Sequence, residues 1–153
     1  MTPIGRLDVR LDLEGGSRRV GELAASDGRL YFEYDSEFLL DPVWLSPFKL
    51  PPRPGLIEHL ERDFGPIFGL FEDSLPDGWG LLLMDRFFEQ LGRPARRLTV
   101  LERLAFLGPR AMGALTYHPP SHEPGLTSEI LDLQEMARAS RAVLEGSAHE
   151  VLA

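Results

Sequence analysis

Leu7, Val9, Leu11 and Leu13 alternate with Asp8, Arg10, Asp12 and Glu14, a period of two that predicts a half-buried strand. Gly15-Gly16 supplies a turn, and Val20–Ala25 predicts a second strand. Asp27-Gly28 is a strong hairpin signal leading to a third strand, Leu30–Tyr34, so the opening reads as an antiparallel meander. Trp44–Leu50 is a shorter strand candidate followed by the rigid Pro51–Gly55 segment, and Ile57–Phe68 reads as an irregular or short helical connection.

The period then changes. Leu75, Trp79, Leu83, Phe87 and Leu91 recur every fourth residue, which places them on one face of a helix. Ser74 is the expected N-cap, with Asp77 three residues on and Pro76 in the first turn, while Gly92 and Pro94 form the stop. Thr99-Val100-Leu101-Glu102 is a capping box that predicts a helix through Leu101, Leu104, Ala105 and Leu107, ending at Gly108-Pro109. Ala114–Tyr117 predicts a final strand. Residues 121–126 read as a linker, and Ile130, Leu133, Ala137, Ser140 and Leu144 follow helical spacing in a last amphipathic helix within 127–153. Strands first, then helices, with one returning strand, predict an α+β fold over 1–120: a small antiparallel sheet or partly closed barrel packed with three to four helices. The closing residues, 148–153, fit either a natural end or a chain cut before a further domain.

Composition narrows the function classes. With 153 residues, 43% hydrophobic and 26% charged, the chain has ordinary globular composition and enough length for a core. A net charge of −8 disfavours nonspecific phosphate binding, because a polyanion meets repulsion. The absence of cysteine excludes disulfides and thiolate metal sites and fits a cytoplasmic location. No leader-like run follows Met1, and no apolar stretch approaches the roughly 20 residues a membrane helix needs.

Chemistry-bearing patterns are sparse. His118 and His122 have a helical ligand spacing, but Pro119 and Pro120 between them forbid the helix, and His59 and His149 lack companions. Gly78-Trp79-Gly80 starts like a phosphate loop, yet Leu83 occupies the third glycine position and Asp73 and Asp77 would repel an anion. Glu72-Asp73 and Glu61/Asp63 read as solvated charges, and no nucleophile elbow is present. Arg93, Arg96 and Arg97 read as a solvated loop. Trp44 and Phe48 either form an exposed apolar patch with the Pro51–Pro54 loop or pack in the core, and core packing is the expectation. Trp79 either joins the core or anchors a partner beside an acidic turn, with Ser74, Leu75, Asp77, Gly78 and Trp79 as the candidate contact.

Phe71, Leu75, Pro76, Asp77, Gly78 and Trp79, then Leu101, Leu104, Leu107 and Gly108, and finally Gly113-Ala114-Leu115, together resemble the N-terminal subdomain of HipA-type toxin kinases over about residues 6–118. The small stand-alone antitoxin similar to that subdomain fits equally. Where the family carries two glycines before its last strand, this chain has Gly108-Pro109. The resemblance implies a bacterial type II toxin–antitoxin system and docking on a Ser/Thr kinase core, in cis or in trans. It also implies a DNA-binding antitoxin as a further partner. ATP and magnesium would belong to that core, since no ATP-loop Lys, catalytic-loop Asp or metal-binding Asp motif occurs here. The expectation is therefore a noncatalytic regulatory module with no cofactor, no direct nucleic-acid contact and no membrane. The alternatives are an independent small cytoplasmic enzyme or a nucleic-acid-binding protein without a recognised motif.

Overall fold

A computed structural model describes residues 5–60 and 65–119. These fall into two compact units, one running up to Pro76 and resuming at Leu98, the other spanning Asp77–Arg97. The linker and last helix expected after residue 120 lie outside the described residues.

The first unit is built on five antiparallel strands: β1 (Arg6–Leu13), β2 (Gly16–Ser26), β3 (Arg29–Tyr34), β4 (Leu56–Glu58) and β5 (Leu115–His118). Their order is β4-β3-β2-β1-β5, so β4 and β5 are edges and the sheet is open rather than a partly closed barrel. With three α-helices among the described residues, the class is α+β. Alternation delivers the core: Leu7, Val9 and Leu11 of β1, Phe32 and Tyr34 of β3, and Leu115 and Tyr117 of β5 are buried.

Val20 and Leu23 of β2 are also buried although three residues apart, which strict alternation forbids. The register shifts between Val9 and Arg10, where Val9 pairs with Gly21 and Arg10 with Arg19. The extra residue on β2 resets the pleat, so both side chains face inward. Gly21 beside this bulge is close-packed: a Cβ there would overlap the Glu33 carbonyl and lie 2.7 Å from Phe32 Cζ. At the β2–β3 turn, Asp27 and Gly28 adopt φ of 51° and 74°, the left-handed pair that matches the twist of a two-residue hairpin.

Helices complete this unit. α1 (Gly69–Glu72) sets Phe71 beneath the sheet, its ring 5.0 Å from Phe32 and 6.4 Å from Tyr117. α2 (Gly78–Gln90) belongs to the second unit. α3 (Val100–Leu107) lies against β1, β2 and β5 and carries the predicted capping box: Glu102 N–H donates to Thr99 Oγ1 at 3.2 Å, and Thr99 N–H donates to Glu102 Oε2 at 2.8 Å. Gly108 ends it with φ of 51°, and Pro109 falls in a following 3-10 turn. Among the described residues, no helix is long and apolar enough to cross a membrane.

Three sequence expectations are corrected. Trp44–Leu50 is a loop, with a single bridge between Ser46 and Leu50, because Pro47 interrupts any ladder. The segment expected as an irregular connection begins inside β4, whose Ile57 pairs with Phe32. The long helix starts at Gly78 with Asp77 as its cap, not at Ser74, and Asp77 makes no side-chain capping bond.

Candidate partner-binding site

The turn preceding α2 is set by a hydrogen bond from a distant strand. Ser74 is 5% exposed, and its hydroxyl accepts from the Tyr117 hydroxyl at 2.7 Å, so its side chain is drawn inward to the strand rather than onto a helix start. Burial first, and then the Asp73 charge, push the Tyr117 phenol up to about 12 despite the Ser74 bond, so it stays a hydroxyl donor. Ser74 N–H donates to Phe71 O at 3.2 Å and Leu75 N–H to Glu72 O at 2.9 Å, continuing α1 as turns. Leu75 is half-buried against the core of the first unit.

In the second unit, Asp77 is extended at φ −81° and ψ 176°, and its carbonyl accepts Leu81 N–H at 2.9 Å. Asp77 and Gly78 are exposed, and a Cβ at Gly78 would meet nothing within 4 Å. Trp79 is 58% exposed in the first turn of α2. The buried positions of this helix are Met84 and Phe88, while Leu91 at the far end of the expected stripe is exposed. The expected stripe thus runs beside the buried face, with Leu83 and Phe87 half-buried and Trp79 and Leu91 exposed, since a strict spacing of four drifts around a helix of 3.6 residues per turn. The stop is as expected: Gly92, at φ 74°, donates to Glu89 O at 2.9 Å and Arg93 N–H to Phe88 O at 2.8 Å, a Schellman closure.

The five candidate residues thus divide. Ser74 and Leu75 are held inward and fix the turn; Asp77, Gly78 and Trp79 present surface. Trp79 with a neighbouring carboxylate can bury an aromatic face while steering a cation, which is recognition chemistry.

Other polar groups serve structure. His118 on β5 shares a 3.1 Å hydrogen bond between its Nε2 and Thr116 Oγ1, and burial, then the Arg10 charge, hold its imidazole below the usual 6.5. His59 Nε2 lies 3.2 Å from Gly65 O, with its ring 4.9 Å from Phe68. His122 and His149, and the Glu61/Asp63 pair, lie outside the described residues. Among the described residues, no group of three His, Asp or Glu side chains could hold a metal. Arg93 stacks 5.4 Å over Phe88, and Arg96 and Arg97 sit in a short 3-10 turn.

At one place the structure takes the less favoured of two sequence readings. In the loop between β3 and β4, Leu40 is 86% exposed, Trp44 61% and Phe48 92%, although core packing was expected for Trp44 and Phe48. The Pro42 and Pro47 positions were the available signal, because prolines keep the segment out of a ladder that would turn alternate side chains inward.

No curated protein and no solved structure matches the sequence. A family model described as the HipA N-terminal domain matches residues 9–118, well over half of the chain, from β1 to the end of β5; it describes the N-terminal domain and not a kinase core. The match sets the protein in a HipA-family toxin–antitoxin context. An open five-stranded sheet with that span, carrying the Leu75–Trp79 segment between its fourth and fifth strands, belongs to the HipA N-terminal domain family.

Proposed function

We propose that the chain is a noncatalytic, cytoplasmic partner-binding module that docks on a HipA-like Ser/Thr kinase core, in cis as a subdomain of the toxin or in trans as a small antitoxin. The observation that carries this reading is the exposure of Trp79 in the first turn of α2, with Asp77 and Gly78 beside it in the chain. A large aromatic ring left in water at the start of an ordered helix is a ready anchor, and enclosing it by a partner is worth about 2 kcal/mol or more. Any ATP and magnesium belong to the core, and a DNA-binding antitoxin is a further partner of the assembled system. The net −8 fits contact with protein rather than directly with nucleic acid or membrane.

Trp79→Ala should weaken binding to a HipA-like kinase core at least tenfold in calorimetric titration, with the unfolding midpoint kept. Unchanged affinity in a folded variant removes the turn from the interface. A variant that unfolds instead assigns Trp79 to the core.

A further inference from the structure

Met84 and Phe88 of α2 are enclosed in a single chain, yet neither joins the apolar cluster built on the sheet. One helix cannot enclose its own stripe, so a second apolar surface lies along it, and that surface belongs to the same chain. Spacing describes what would fit. Leu81, Met84, Phe88 and Leu91 are separated by steps of three, four and three, the seam of a helix that packs lengthwise on another helix. Within residues 127–153, Ile130, Leu133, Ala137, Ser140 and Leu144 repeat that alternation of three and four. The sizes are complementary as well: Met84 and Phe88 are bulky where Ala137 and Ser140 are small.

We infer that residues 127–153 of this chain are the partner of α2, packing as a helix antiparallel to it along the Met84–Phe88 side. Charge sets the direction. Asp73 and Asp77 precede α2, and Arg93, Arg96 and Arg97 follow it. The segment opens with Glu129, Asp132 and Glu135 and continues to Arg138 and Arg141. An antiparallel pair brings opposite signs together at both ends, whereas a parallel pair sets carboxylate against carboxylate. Covalent attachment makes the encounter intramolecular, so a second copy competes at a disadvantage. The opposite side of α2 carries Trp79 and Leu82, 58% and 40% exposed, and the pairing leaves it bare while giving it a rigid backing. The inference goes beyond the docking function and stands without it.

NMR of the full chain tests it. In the unaltered protein, nuclear Overhauser contacts are expected between the Met84 and Ala137 methyl groups; a Met84 methyl that meets no residue of 127–153 overturns the inference. Leu133→Asp with Leu144→Asp should speed amide exchange along α2 by about tenfold or more while β1–β3 keep their protection. Unchanged exchange in α2 also overturns it. Should that variant lose protection in β1–β3 as well, the methyl contacts of the unaltered chain decide. Arg96→Glu with Arg97→Glu should likewise speed exchange in α2, and adding Glu129→Arg with Asp132→Arg should restore it. Failure of that rescue overturns the antiparallel direction. If protection of α2 rises with protein concentration and sedimentation shows a dimer, the partner is a second copy and the inference fails.

Discussion

β3 and the middle of the loop that follows it both carry large apolar residues, yet these meet opposite fates. Phe32 and Tyr34 are enclosed, their rings 4.9 Å apart edge to face, whereas Trp44 and Phe48 a few residues later stand in water. The difference is backbone hydrogen bonding. β3 pairs with β2 and β4 and must turn alternate side chains to one face; the loop is interrupted by prolines and closes only one bridge, so no ladder dictates which way its side chains point. Hydrophobicity alone did not decide burial: along β3 the ladder did, while within the loop Phe38 and Leu50 are enclosed and Leu40, Trp44 and Phe48 are not.

The largest effect expected from breaking that contrast is at Phe32. Phe32→Ala removes a ring that touches Tyr34 and Phe71 in the core and should cost about 4 kcal/mol in urea unfolding. A cost below about 1 kcal/mol would show that the ladder, not the packed ring, holds β3.

The junction between the two regions comes next. Asp35 sits where β3 gives way to the loop, its Oδ2 accepting from Arg19 at 2.6 Å and its Oδ1 from two backbone N–H groups. Burial raises its pKa, but the Arg19 bond and those backbone donors outweigh it and hold the carboxyl below the usual 3.8. A carboxylate depressed in the folded state adds stability that is present above pH 3.8 and is lost as pH falls through the folded value. Asp35→Asn should therefore cost about 1–2 kcal/mol at neutral pH, allowing for partial solvent screening, and show a shallower loss of stability below that pH. Acid unfolding curves that superimpose would dismiss the junction role.

The smallest effect belongs to the loop. Phe48→Ser should change stability by less than about 0.5 kcal/mol, since the side chain is already solvated. A substantial destabilisation would mean that Phe48 packs in solution, and the contrast with Phe32 would vanish.

Legibility followed the range of the interactions. The Thr99–Glu102 capping box, the Asp27-Gly28 hairpin and the Gly92 stop are closed by residues within a turn of one another, so their residue types were enough. β4 was not legible, because three residues carry no period and Leu56–Glu58 becomes a strand only by pairing with Tyr31–Glu33. Nor was the start of α2. Ser74 has every local qualification as a cap, but Tyr117, 43 residues away in sequence, takes its hydroxyl. For the candidate site, the sequence picked out the segment containing Trp79 but left open whether the ring faced inward, and for Trp44 and Phe48 it favoured the core over an exposed patch.

By itself, then, the sequence determined the meander, the helix stops, the returning strand and the family, because alternation, turn chemistry and capping act between near neighbours. Only the tertiary structure decided which residues pair at the sheet edge, where Ser74 points and which aromatic rings remain in water. Those outcomes depend on competition between groups far apart in the chain for the same interior space and the same hydrogen bonds, and no local pattern records who wins it.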